Sequence, residues 1–83
     1  MLPKLLQDTL RQADGGRVTC SLLTDDGRIT GIIEQTFFDD FIGQPGVELS
    51  AAKKMRIVAE NMSFLESEAA KQLHLGQREV IIR

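Results

Sequence analysis

Residues 18–37, VTCSLLTDDGRITGIIEQTF, hold two runs of alternating apolar residues joined by a short acidic turn. No other segment restricts its own conformation as tightly, because a period of two marks strands with one face buried. Asp26-Gly27 is a strong signal for a two-residue type I′ turn, in which both central residues take positive φ. Such a turn sets Asp25 opposite Arg28, Leu22 opposite Gly31 and Cys20 opposite Ile33. Val18, Cys20, Leu22, Ile29 and Ile33 then share one face, and Thr19, Ser21, Thr30 and Glu34 share the other. A three-residue loop would set Val18 against Glu34 and mix the faces, so burial selects the shorter loop. Gly31 inside the second run marks a bulge or bend of the kind small barrels use. Leu23 and Ile32 interrupt the polar face, which points to partial cover there by the N-terminal helix or another subunit.

The rest of the chain reads around this hairpin as one domain over residues 1–83. Leu2, Leu6, Leu10 and Ala13 recur at helical spacing, Pro3 suits a first turn, and Gly15-Gly16 is a stop, so residues 1–15 are expected to be a helix. Phe38-Asp39-Asp40-Phe41-Ile42-Gly43-Gln44-Pro45-Gly46 reads as a long loop from its Gly and Pro content. Val47, Leu49 and Ala51 alternate as a third strand, Lys53-Lys54 turns the chain, and Met55, Ile57 and Ala59 make a fourth. Ser63 and Glu66 have capping-box spacing, which predicts a short helix over residues 63–75 that stops near Gly76. Residues 79–83, Glu-Val-Ile-Ile-Arg, read as a last strand with no visible partner, an edge that something must cover. The fold class expected is therefore mainly β: a small β-barrel or sandwich of about five strands, with an N-terminal helix, strands across residues 17–60, and a short helix before the last strand.

Size and charge narrow the function classes. A chain of 83 residues buries roughly 60–65% of its unfolded surface, so its core is marginal without a staple. Cys20 is the lone cysteine and His74 the lone histidine, which rules out an intrachain disulfide and an ordinary zinc cluster. Oligomerisation is the staple left. Ten Lys/Arg against twelve Asp/Glu give a net charge of −2 with no blocks of one sign, which is not an electrostatic footprint for nucleic acid. The opening MLPKLLQDTLRQADGG has short apolar patches broken by charge, so neither a signal peptide nor a membrane span is expected, and a reduced intracellular setting fits best.

The residues do not assemble an enzyme. His74 reads as a helix-end surface group, and Cys20 lies on the apolar face, so the two do not read as a nucleophile and base. Asp25-Asp26 is accounted for by the turn, and Asp39-Asp40 lacks the alternating oxygens of a calcium loop. Gly15-Gly16 and the Gly43–Gly46 cluster precede strands rather than helices, unlike phosphate-binding loops. No catalytic, cofactor or metal site is expected. Lys53, Lys54 and Arg56 read as a solvated hairpin tip. Three of the four phenylalanines fall at positions 37, 38 and 41, and they either plug the barrel or anchor a partner. On the second reading the partner interface comprises Phe38, Asp39, Asp40, Phe41, Ile42 and Gln44, joined by Val80 and Ile82 of the unpartnered strand.

One family comes into view from the order of these pieces. Thr30-Gly31-Ile32-Ile33-Glu34, then Gly46-Val47-Glu48-Leu49, then Met55-Arg56-Ile57-Val58, then Leu75-Gly76 before Val80-Ile81-Ile82 resembles the lambda-type head–tail joining (head completion or stopper) proteins of tailed bacteriophages. The resemblance implies a small β-barrel assembling as a homo-oligomeric ring in the virion neck. Its implied partners are a portal or adaptor on one side and tail proteins on the other, with DNA passing through the channel without sequence-specific contact. It implies assembly rather than catalysis, with residues 38–46 facing the channel or a neighbouring ring. Two rival classes stand beside it: an Sm-like RNA-binding ring and a generic interaction module. The first also begins with a helix and a strongly bent strand pair, but the near-neutral charge argues against it. An Sm-like ring would call for an Asp near position 37 and a nearby Asn, where this chain has Phe37 and places Asn61 in another segment.

Overall fold

The computed structural model describes residues 2–42 and 49–83. Along the chain come β1 (Lys4–Gln12), a 3-10 turn (Asp14–Gly16), β2 (Val18–Thr24), β3 (Gly27–Ile33), α1 (Gln35–Ile42), α2 (Ala51–Glu60), α3 (Met62–His74) and β4 (Glu79–Ile82). One sheet holds all four strands in the order β1-β2-β3-β4, with β1 to β3 antiparallel and β4 parallel to β3. This is a mixed α/β domain, which corrects the expected five-stranded barrel with an N-terminal helix.

The hairpin keeps its expected faces but not its expected register. Thr24 pairs with Gly27, Leu22 with Ile29, Cys20 with Gly31 and Val18 with Ile33, so Asp25-Asp26 is the loop. Among the described residues positive φ occurs only at glycines, here at Gly27 (φ 110°), so the turn is not type I′. Thr24 decides the alternative: its hydroxyl donates to the Gly27 carbonyl at 2.7 Å and accepts the Asp26 N–H at 3.1 Å. The slip amounts to two residues, an even number. Side chains in a strand alternate with a period of two, so Val18, Cys20, Leu22 and Ile33 stay on the buried face.

Residues 4–12 form β1 rather than part of a helix. Lys4, Leu5 and Leu6 pair with Leu23, Leu22 and Ser21, and Arg11 and Gln12 with Thr19 and Val18. Gln7, Asp8, Thr9 and Leu10 therefore bulge opposite Cys20. The Thr9 hydroxyl bridges the bulge, accepting the Ser21 N–H at 2.8 Å and donating to the Leu6 carbonyl at 2.5 Å. The bulge lets both Leu5 and Leu10 reach the core, although five positions apart is out of phase for a plain strand. That irregular spacing is what imitates a helical stripe.

Among the described residues the second strand pair expected after residue 46 does not form. Ser50 caps α2, its hydroxyl accepting the Lys53 N–H at 3.2 Å, and residues 51–60 are helical. Lys54 and Val58, one turn apart, face the core, while Arg56 pairs with Glu60 at 3.0 Å on the exposed side. Val47, with the rest of 43–48, lies outside the described residues. Ser63 sits inside α3 rather than at its cap, and Gly76 (φ 89°) follows the helix end. The last strand does find a partner: β4 runs parallel to β3, with Gly31 beside Val80 and Ile33 beside Ile82. A parallel pair needs a crossover connection, and α1 to α3 supply it.

The helices cover one face of the sheet. Leu5, Leu10, Val18, Cys20, Leu22, Ile33, Val80 and Ile82 form the core with Phe37, Phe38, Val58, Leu65 and Ala69. Gly31 is the point of closest approach within this face. A Cβ there would lie 2.9 Å from Cys20 Sγ and 3.1 Å from Leu22 Cδ1, so glycine is needed for room and not for a bend. On the opposite face Leu23 is exposed, and no N-terminal helix lies over it. Helix α3 also guards both sheet edges: Glu66 accepts the Leu5 N–H at 2.9 Å on β1, and Gln72 bonds both backbone groups of Ile81 on β4.

Candidate functional site

Residues 35–42, QTFFDDFI, form a short helix because Gly43 and Pro45 come after the apolar spacing and not within it. Gln35 and Asp39, one turn apart, are joined by a side-chain hydrogen bond of 2.9 Å. Phe37 and Phe41 share that spacing and lie tilted against each other along one side, their ring centroids 5.0 Å apart. Phe38 points the other way and is completely buried, edge-on to Phe37 at 5.4 Å. The fourth phenylalanine, Phe64 in the first turns of α3, lies nearly parallel to Phe37 at 6.2 Å. All four rings of the chain thus meet at one corner of the fold.

Phe41 and Phe64 are 48% and 50% exposed, and both flank an open cleft of about 440 Å³. Buried Phe37 adds an apolar wall, while Asp40, Asn61 and Arg83 bring one carboxylate, one amide and one guanidinium to its lining. Adjacent large apolar groups left open to solvent mark interaction surfaces, whereas scattered ones do not. The arrangement can accept an apolar side chain between the two rings and orient it with a charged group of either sign.

The residues expected at a partner surface divide cleanly. Asp40 and Phe41 line the cleft. Asp39 is half-buried and bonded to Gln35. Phe38, Val80 and Ile82 are buried in the core, so their side chains are not on the surface. Gln44 lies outside the described residues, as do the other residues of 43–46 in the expected loop; residues 38–42 are helical. Phe64, Asn61 and Arg83 were not expected at the site. Phe64 had no sequence signal beyond its rarity in a chain with four phenylalanines.

Lys54 is the second departure from expectation. It is only 4% exposed, not a solvated tip. Its ammonium donates to the Gly16 carbonyl at 2.8 Å and to Gln35 Oε1 at 2.9 Å, and sits 5.3 Å from the Phe38 ring centroid. Two neutral acceptors and an aromatic face hold this buried cation. Gly16 (φ 78°) cannot carry a side chain here, because a Cβ would collide with the Gln35 amide. Lys54 joins the 3-10 turn, α1 and α2 behind the aromatic cleft, so it is a clamp on the site rather than a group in it.

Cys20 is buried on the core face, and burial pushes its thiol up from 9.0 to about 11. Below pH 9 the folded and unfolded chains both keep the proton. Between pH 9 and about 11 the unfolded chain releases it while the folded chain cannot, so stability falls across that window. Urea titrations at pH 8 and pH 10.5 are expected to show a larger alkaline loss for the parent than for Cys20→Ala. Equal losses would place the thiol in water. His74, by contrast, is exposed at the end of α3. Among the described residues no cluster of metal-ligating side chains occurs, and no helix is long and apolar enough to cross a membrane. No protein-family model, no curated protein and no solved structure matches the chain.

Proposed function

We propose that this chain is a structural assembly subunit that docks a partner protein through the Phe37–Phe41–Phe64 cleft, and that its setting is the head–tail connector of a tailed phage. The observation that carries the docking reading is the pair of half-exposed rings, Phe41 and Phe64, flanking one cleft. Aromatic side chains in such positions supply most of the binding energy at interface centres. The connector setting rests on the sequence pieces around Gly31, Met55-Arg56-Ile57-Val58 and Val80-Ile81-Ile82, since the domain is not the barrel that the family resemblance implies. On this reading the partner is a portal, adaptor or tail protein, and the chain is a ring subunit in the virion neck. Single-stranded RNA is a poorer occupant, because it takes a basic groove and this cleft is lined by one Arg and one Asp.

The test is the double variant Phe41→Ser with Phe64→Ser. Its circular dichroism spectrum is expected to match the parent's, since both rings are half outside the core. Its incorporation into particles, or its affinity for a co-expressed portal or adaptor, is expected to fall by about tenfold or more. Unchanged incorporation by a folded double variant would remove the cleft as the docking site.

A further inference from the structure

A strand turns the N–H and C=O of successive residues to alternate sides. In β4 the Ile82 carbonyl turns toward β3 and accepts the Glu34 N–H at 2.8 Å. The backbone groups of Glu79, Ile81 and Arg83 therefore turn outward. At Ile81 both are held by one side chain: Gln72 Nε2 donates to the Ile81 carbonyl at 2.7 Å, and Gln72 Oε1 accepts the Ile81 N–H at 2.9 Å. A side-chain amide presents the same donor and acceptor as a peptide group, so Gln72 occupies the place of one residue of a neighbouring strand. Beside it runs an open groove of about 430 Å³ lined by Glu68, Gln72, Gln77, Ile81 and Arg83.

The edge's own residues say what fits it. Turned antiparallel about Ile81, the segment Glu79-Val80-Ile81-Ile82-Arg83 is self-complementary: Ile81 meets Ile81, and Glu79 of each copy meets Arg83 of the other. Those positions share one sheet face, so an ion pair flanks the Ile81 contact on each side. They are also the positions whose backbone groups point outward, which is where facing residues of an antiparallel pair exchange both hydrogen bonds. A parallel pairing in the same alignment would set Glu79 against Glu79 and Arg83 against Arg83.

The geometry points to the β4 edge as a docking edge for a second copy of this chain, antiparallel with Ile81 on Ile81, and to Gln72 as the gate that the arriving strand displaces. The contact is isologous, so it closes as a two-fold pair and does not propagate. Each copy gives up two side-chain hydrogen bonds from Gln72 and gains backbone bonds at every outward-facing position of β4. The gate sets the strength of self-association. The paired edge meets the aromatic cleft only at Arg83, which lines both, while Phe41 and Phe64 are not part of the β4 edge.

Sedimentation equilibrium tests this. Gln72→Ala removes the competing amide and is expected to self-associate about tenfold more tightly than the parent, or better. In that background Glu79→Arg opposes Arg83 and is expected to weaken the pair about fivefold or more, and adding Arg83→Glu restores it by exchanging the charges. If Gln72→Ala fails to fold, Gln72→Glu keeps the acceptor for the Ile81 N–H and carries the same comparison. A monomeric gate variant at millimolar concentration overturns the proposal. So does association that ignores the charge exchange, or that disappears with Phe41→Ser and Phe64→Ser.

Discussion

Phe38→Ala is expected to destabilise the domain by about 3–5 kcal/mol, the range for emptying a large aromatic from a core. Phe38 is completely buried, touches Phe37 edge-on, and lies beneath the Lys54 ammonium. Its removal therefore leaves a void and strips a buried cation of one of its three supports. A domain of this length has a total stability of roughly 4–12 kcal/mol, so the loss consumes much of it. In a thermal melt the midpoint is expected to fall by roughly 15 °C or more. Phe41→Ala is the control, since half of that ring is already in water. Its midpoint is expected to move by only a few degrees. Equal shifts for the two would mean that the helix buries both rings alike.

Lys54→Met is expected to cost about 2–4 kcal/mol although the side-chain length and apolar stem are kept. The loss comes from the two half-buried acceptors left behind without their donor, the Gly16 carbonyl and Gln35 Oε1. Part of the cost is offset, because the desolvation of a buried ammonium is also removed. Lys53→Met on the same helix is exposed and is expected to change stability by less than about 0.5 kcal/mol. Gln35→Leu removes one of the two acceptors, so its effect and that of Lys54→Met should fall short of adding. Chemical denaturation of the single and double variants checks this; strict additivity would mean that the Lys54–Gln35 bond contributes nothing.

The hairpin shows how much of this architecture is legible in local pattern. Alternation at Val18, Cys20, Leu22 and Ile33 assigns the buried face correctly, because facing depends only on parity. Register depends on which residue takes positive φ, and the Thr24 hydroxyl settles that in favour of Gly27 alone. At the aromatic corner the i to i+4 spacing of Phe37 and Phe41 was a readable helical signal, outweighed by Gly43 and Pro45 just beyond it. Phe64 and Arg83 join the cleft from segments distant in sequence, and no local pattern announces that.

Residues 18–33 carry their own answer: two strands, one turn and one apolar face follow from their order alone. Residues 4–12 and 51–60 do not, because each stripe suits more than one conformation. The first becomes a strand only because β2 accepts its bulge through Thr9 and Ser21. The second becomes a helix whose Lys54 is buried only because Gly16 and Gln35 bring their oxygens to it. β4 likewise takes its place beside β3 through a crossover of three helices. Periodicity is a property of a few neighbouring residues, whereas the burial that selects among its readings is supplied by groups tens of residues away.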